Sequence, residues 1–347
     1  MAESRGKIMR LLILTQKVDR NDDVLGFMHG WINEFAKKCE KITVICLKKG
    51  EVSLPANVKV LSLGKETVES RVKYLVNFYK YIFQERKNYD AVFVHMNPEY
   101  VVLGGLPWKL FGKKISLWYV HKKVSWRLKL AEKLVDKIFT VSEKSINLKS
   151  KKITGIGHGI NLDLFRKLDV FSPPPDSVLY LGRISPVKKI ENLIKAAGVL
   201  NKKGVNFNLD IVGNPVNKED FEYEARLKQI VGEGVLFLPA VKNREAPEIY
   251  NHHELTVNLT PTGSFDKVIL EAMACERLVL VCNKSFEEVL PSKFLFQEKD
   301  SQDLAKKLEI ILDIPQNEKV NYGKQFREYV IKNHNLEKFV QKLISHF

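Results

Sequence analysis

Two doubly wound α/β domains in series are predicted by three features of this sequence. Short apolar, β-rich runs alternate with segments long enough for crossover helices, a run of prolines interrupts that alternation near the middle, and the alternation then resumes. A length of 347 residues suits two such cores better than one.

In the first domain Leu11–Leu14, Ile42–Leu47, Ala91–His95, Ile115–Tyr119 and Lys137–Val141 read as strands. Parallel neighbours need a crossover of about a dozen residues, and the intervals between these runs supply one. Phe171-Ser172-Pro173-Pro174-Pro175-Asp176 then breaks the pattern, because proline offers no N–H to a ladder and stiffens the chain. This sets the expected domains at 1–171 and 172–330. In the second, Val178–Leu181, Asn208–Val212, Val235–Leu238, Leu255–Leu259 and Leu278–Cys282 read as strands. Ile190, Leu193, Ile194 and Ala197 fall at helical spacing, which puts Lys188 at the start of a helix. The segment from Lys319 to Phe347 has a helical pattern with Phe326, Tyr329, Val330, Phe339 and Leu343 as apolar contacts. Its last part, about 331–347, is expected to cross back to the first domain.

With 45% hydrophobic and 28% charged residues the chain reads as globular rather than disordered. Its 56 Lys and Arg against 41 Asp and Glu give a net charge of +15, so anionic partners are expected without being identified. Cys39, Cys46, Cys275 and Cys282 form neither a CxxC pair nor metal-site spacing and sit in apolar stretches, as buried free thiols do. With no run of about 18 uncharged apolar residues, the expectation is a cytoplasmic protein, with peripheral contact to the inner face of an anionic membrane left open. Lys109, Lys113, Lys114, Lys122, Lys123, Arg127, Lys129 and Lys133, interleaved with Trp108, Trp118 and Trp126, are the segment that would make it, or else a solvated helix face.

Two segments carry chemistry. In Leu179-Tyr180-Leu181-Gly182-Arg183-Ile184-Ser185-Pro186-Val187-Lys188 a buried strand ends at Gly182, and Arg183 and Lys188 follow at the strand's carboxyl end, where open α/β sheets bind ligands. A guanidinium fork and an ammonium together can hold a diphosphate; the pair alone also fits a solvated surface. The stretch Pro261-Thr262-Gly263-Ser264-Phe265-Asp266-Lys267-Val268-Ile269-Leu270-Glu271-Ala272-Met273-Ala274 is more specific. Gly263 and Ser264 let backbone approach a ligand, and the amides near Lys267, Val268 and Ile269 open a helix whose positive end favours phosphate. Glu271, one turn in among apolar neighbours, needs a partner, which two ribose hydroxyls would supply. The alternative is that Asp266 caps an ordinary helix and Glu271 meets a lysine in solvent.

These two segments at this separation resemble glycosyltransferase family 4, retaining enzymes of the glycosyl transferases group 1 with the GT-B fold. The likeness continues through Val235-Leu236-Phe237-Leu238-Pro239, Tyr250-Asn251-His252-His253-Glu254-Leu255 and Glu271-Ala272-Met273-Ala274-Cys275, and upstream through Gly157-His158-Gly159-Ile160-Asn161-Leu162-Asp163-Leu164-Phe165. The resemblance implies two Rossmann-like domains facing a central cleft. It also implies a donor diphosphate neutralised by Arg183 and Lys188, ribose hydroxyls held by Glu271, and no metal or other cofactor. In the first domain His121, in Trp118-Tyr119-Val120-His121, is similar to a histidine facing the transferred sugar, and Gly26 to a glycine-rich loop near the donor phosphates, although the usual paired glycine is missing.

The chain departs from the family at the sugar end. Where the first of two glutamates is usual, eight residues before Glu271, stands Gly263. Asp266 occupies a stretch where glycine is usual and would contribute a carboxylate instead. Glu276 stands where glycine follows Ala-Cys, Leu278 replaces a frequent proline, and Asn283-Lys284-Ser285-Phe286 replaces a glycine-rich loop. The expected activity is transfer of a hexose or similar sugar from a nucleoside-diphosphate sugar to a hydroxyl of a glycan, lipid or metabolite. The competing expectation, motivated by Gly263, is a catalytically silent relative that binds a glycan or a partner. Nucleic-acid binding rests on charge alone, without a recognition motif, and is not expected.

Overall fold

A computed structural model describes residues 9–67, 70–262 and 266–347. The chain forms two compact units, Met1–Gly159 with Asn335–Phe347, and Ile160–His334. The proline stretch 173–175 lies inside the second. That unit begins earlier because Ile160 N–H donates to His334 O at 2.6 Å, so its entering and leaving segments run side by side.

In the first unit seven strands, β1 (Arg10–Val18), β2 (Lys41–Lys49), β3 (Val58–Ser62), β4 (Ala91–His95), β5 (Lys114–Trp118), β6 (Lys137–Thr140) and β7 (Ile153–Gly155), form one parallel sheet ordered β3-β2-β1-β4-β5-β6-β7. The central β1 and β4 are near-continuous apolar runs because both faces are covered, as parallel sheets require. Helices α1 (Phe27–Lys38), α2 (Arg71–Gln84), α3 (Pro98–Leu110) and α4 (Trp126–Leu134) make the crossovers. The order reverses between β1 and β4.

The second unit has β8 (Ser177–Leu181), β9 (Asn208–Val212), β10 (Val235–Leu238), β11 (Leu255–Asn258) and β12 (Leu278–Val281), all parallel, ordered β10-β9-β8-β11-β12, so its reversal lies between β8 and β11. Its helices are α5 (Ile190–Lys202), α6 (Lys218–Gln229), α7 (Ala246–Asn251), α8 (Lys267–Ala274), α9 (Ser301–Leu312) and α10 (Gln316–Asn333). In α5 the expected stripe of Ile190, Leu193, Ile194 and Ala197 is buried. All ten expected strands are present. Two further strands among the described residues lie outside those runs: β3, a half-exposed edge, and β7, three residues among lysines.

The helical pattern from Lys319 onward is broken at His334. Beyond it α11 (Leu336–Ile344) belongs to the first unit, where Phe339 packs on Trp31 at 4.3 Å and on Trp118 at 5.0 Å between ring centroids. Trp31 Nε1 donates to Gly159 O at 2.9 Å. Gly159 itself is left-handed, and a Cβ there would meet Phe339 at 3.0 Å.

Trp108 and Trp118 are core residues, packed on Phe78 and on Trp31 respectively. Of the three tryptophans expected on a basic face, only Trp126, 64% exposed, lies on the surface. The four cysteines are buried free thiols, as expected.

Candidate active site

The reversal between β8 and β11 opens a crevice at the carboxyl ends of the strands, the general location of ligand sites in open α/β sheets. On one side stands the loop after β8, and on the other Thr260, just past β11, and Asp266, just before α8. A close backbone approach shapes the edge beside it: Gly182 follows β8, Gly213 follows β9, and a Cβ on Gly213 would lie 1.9 Å from Gly182 O. Only glycine fits there.

Lys188 spans the crevice. It ends a short 3₁₀ turn, Pro186–Lys188, and left-handed Lys189 then leads into α5. Lys188 Nζ donates to Thr260 Oγ1 and to Asp266 Oδ2, both at 2.8 Å. Asp266 Oδ2 also accepts from Thr260 Oγ1 at 2.8 Å and from Asn258 Nδ2 at 3.1 Å. Burial alone would raise this carboxyl, but the Lys188 charge and the hydrogen bonds from Lys188, Thr260 and Asn258 hold it well below the usual carboxylate range. Asp266 sits at the N-cap position of α8, yet its side chain makes no capping bond, because it is turned to Lys188. The helix-cap alternative is therefore not adopted.

Glu271 is buried rather than in solvent. Tyr250 Oη donates to its Oε2 at 3.0 Å, and Asn243 adds a hydrogen bond. Lys267, one turn earlier on α8 and half-buried, faces the same carboxylate. Burial pushes the Glu271 carboxyl up and the Lys267 ammonium down, and each charge partly offsets the shift of the other.

Arg183 is positioned more loosely. Tyr180 Oη holds its carbonyl at 3.1 Å, and its Nε lies 3.8 Å from Asp220, a buried carboxylate in the first turn of α6. The Arg183 side chain stays 43% exposed. Ile269 is fully buried, which leaves it only backbone to offer a ligand, and Val268 is half-buried. Gly263 and Ser264 lie outside the described residues.

The second unit thus brings Lys188, Asp266, Lys267 and Glu271 to one crevice, with Gly182 and Arg183 on its β8 side. His121 and Gly26 belong to the first unit. His121 is exposed, three residues past β5, and its Nδ1 accepts from Lys123 N–H at 2.8 Å. Gly26 is the N-cap residue of α1. Tyr250, Asn258, Thr260 and Asp220 had no predicted role. For Asn258 and Thr260 a signal existed: polar residues at the carboxyl end of an apolar strand. Among the described residues no group of three or more His, Cys, Asp or Glu side chains is placed to hold a metal ion.

Beside the crevice lies a cavity of about 350 Å³, lined by Pro186, Asn192, Leu259, Pro261, Cys282 and Phe296 among others.

Residues 165–334 match the family model described as glycosyl transferases group 1, a span that falls within the second unit and contains the whole crevice. The chain is a glycosyltransferase with a group 1 domain. Solved structures resembling the transferase over both units have the GT-B fold. HepE from Anabaena, in complex with UDP and glucose, is 17% identical, with 97% of this chain and 99% of that one covered at a TM-score of 0.75. Sucrose-phosphate synthase from Thermosynechococcus elongatus is also 17% identical, with 97% and 98% covered at 0.75. A glycosyltransferase from Rickettsia africae is 16% identical, with 97% of both chains covered at 0.73. Comparison of the transferase with curated protein sequences finds no match. No helix among its described residues is long and apolar enough to cross a membrane.

Proposed function

We propose that the transferase is a retaining, metal-independent enzyme that moves a sugar from a nucleoside diphosphate to a hydroxyl acceptor, with the donor in the crevice between β8 and β11. The observation that carries this reading is Lys188, held across the reversal of strand order by Thr260 and Asp266. Breaking the bond between sugar and phosphate builds negative charge on the leaving diphosphate. Cations fixed in advance stabilise that charge more in the transition state than in the ground state. Lys188 and Arg183 are assigned this role, and the first amides of α8, at Lys267, Val268 and Ile269, add their dipoles. Glu271, with one oxygen on Tyr250, is assigned the ribose hydroxyls. His121 is the proposed sugar contact and Gly26 a proposed phosphate-loop residue, both from the first unit. Support for a nucleotide-sugar donor comes from the group 1 family match and from HepE, whose structure holds UDP and glucose.

The test is a screen of nucleotide sugars by ligand-detected NMR in the presence of EDTA. This reading expects one donor to bind and be consumed, and the product to keep the donor's anomeric configuration. Consumption of none, an inverted product, or turnover abolished by EDTA would count against it.

A second reading, a catalytically silent relative that binds a glycan or partner, is favoured by one observation: the Lys188 ammonium is already paired with Asp266. It predicts that Arg183→Ala leaves the cellular phenotype intact.

A further inference from the structure

The first unit carries an apolar surface that the transfer reading does not use. Helices α2 and α3 lie side by side: Phe83 meets Phe111 at 5.5 Å between ring centroids, and Tyr79 Oη donates to Leu103 O at 3.1 Å. Their inward residues Phe78 and Trp108 are core. The outward ones are also apolar. Val72, Val76 and Phe83 make a stripe along α2, and Leu106 and Leu110 one along α3, with Val72 72% and Leu110 85% exposed. Solvent-facing helix stripes of a water-surrounded enzyme are normally polar.

The charges on these helices are predominantly positive. Arg71, Lys73 and Lys80 on α2 and Lys109 on α3 are exposed. The sequence of α2 contains no Asp or Glu, and that of α3 only Glu99.

A cavity of about 410 Å³ opens beside the starts of these two helices. Its apolar lining is Leu47, Leu63, Leu75, Phe78, Tyr100 and Leu103, and its rim carries Arg71 and Glu99, one charge of each sign. Exposed apolar stripes, four exposed cations against the single acid Glu99 and an adjoining, largely apolar cavity have one ligand chemistry in common, an anionic amphiphile.

We propose that α2 and α3 form a docking surface for an anionic lipid bilayer, and that the cavity beside them takes the apolar part of a single lipid. The stripes enter the acyl boundary and the flanking cations meet the phosphates, each cation near the surface strengthening binding about fivefold.

The full chain is tested by co-sedimentation with vesicles of phosphatidylcholine alone and with phosphatidylglycerol added, and by thermal melting with soluble dihexanoyl phosphatidylglycerol. The wild type is expected to sediment with the anionic vesicles, less so as salt rises, and to be stabilised by the soluble lipid. Val76→Glu with Leu110→Glu lowers the vesicle-bound fraction at least tenfold, whereas Val216→Glu, an exposed apolar site on the second unit, leaves it unchanged. Leu75→Glu removes the response to the soluble lipid. All these side chains are exposed, and unchanged circular dichroism confirms that each variant folds. The proposal is overturned if the wild type ignores anionic vesicles, if the double variant binds like the wild type, or if the double substitution splits a dimer of a wild type that does not sediment. Vesicle binding without stabilisation by the soluble lipid overturns the cavity's part.

Discussion

Lys188 Nζ lies 2.8 Å from Asp266 Oδ2, so the ammonium assigned to the donor diphosphate is held by a carboxylate from the opposite wall of the crevice. A flexible lysine is thereby fixed in position before any ligand arrives, and Thr260 and Asn258 hold the carboxylate in turn. The same arrangement makes Lys188 both a structural and a catalytic candidate. The two roles separate by measurement.

For catalysis, Lys188→Ala is expected to lower turnover on the order of 10²–10³-fold, the usual loss when a preorganised charge-stabilising donor is removed. Arg183→Ala should lose turnover with little change in melting temperature, because its side chain is 43% exposed and its ion pair with Asp220 spans 3.8 Å. Initial rates and melting curves on both variants check this. An Arg183→Ala enzyme with wild-type turnover removes Arg183 from the reaction.

For stability, the sign at Asp266 is fixed by its depressed pKa. A carboxyl held below its ordinary value of 3.8 stabilises the fold fully above that value and loses the contribution as pH falls toward the folded-state pKa. Asp266→Asn should therefore cost about 1.5–3 kcal/mol at pH 7, typical of a hydrogen bond to a charged group. The gap from wild type should narrow below about pH 4. Denaturant midpoints across that range decide it; a gap independent of pH contradicts the ion pair.

Much of the fold was legible because its information is local. Apolar runs bounded by polar turns marked ten of the twelve strands among the described residues, and the stripe in α5 marked its helix. What escaped was either short or set by distant partners. Edge strand β3 is half-exposed and alternates apolar with polar residues, as in Val58-Lys59-Val60, instead of forming a continuous apolar run. The side-chain network of Lys188, Thr260 and Asp266 joins positions 72 and 78 apart in sequence, which no spacing rule reveals. Glu271 was recognised as a carboxylate needing a partner, but Tyr250 could be named only once α7 was seen beside α8.

Glu276 shows a family departure with a physical cost. It follows α8 with φ of 59°, and Arg277 N–H to Ala272 O (3.0 Å) and Glu276 N–H to Met273 O (3.1 Å) close a Schellman turn around it. Glycine is common at that position because the left-handed region costs other residues about 1–2 kcal/mol. Glu276→Gly should thus stabilise by about 1 kcal/mol, raising the melting temperature by roughly 2–4 °C. A lowered melting temperature would mean that the 3.9 Å pair between Arg327 and Glu276 outweighs the strain.

The cysteines give a check on both cores. Burial pushes all four thiols up to about 12, so the thiolate needed for reaction with Ellman's reagent is scarce in the folded state. No thiol should react at pH 8 until the chain unfolds, and then all four should. A rapidly reacting thiol in the native protein would contradict the packing around it.

The most direct measurement is the rise in melting temperature produced by UDP, GDP and ADP, each at saturation, on wild type and on Lys188→Ala. A ligand at a hundred times its Kd stabilises by about 2.7 kcal/mol. One of the three should therefore raise the wild-type melting temperature by several degrees, and the rise should shrink sharply in Lys188→Ala. No rise with any of them, or an equal rise in the variant, contradicts a nucleoside diphosphate site between β8 and β11.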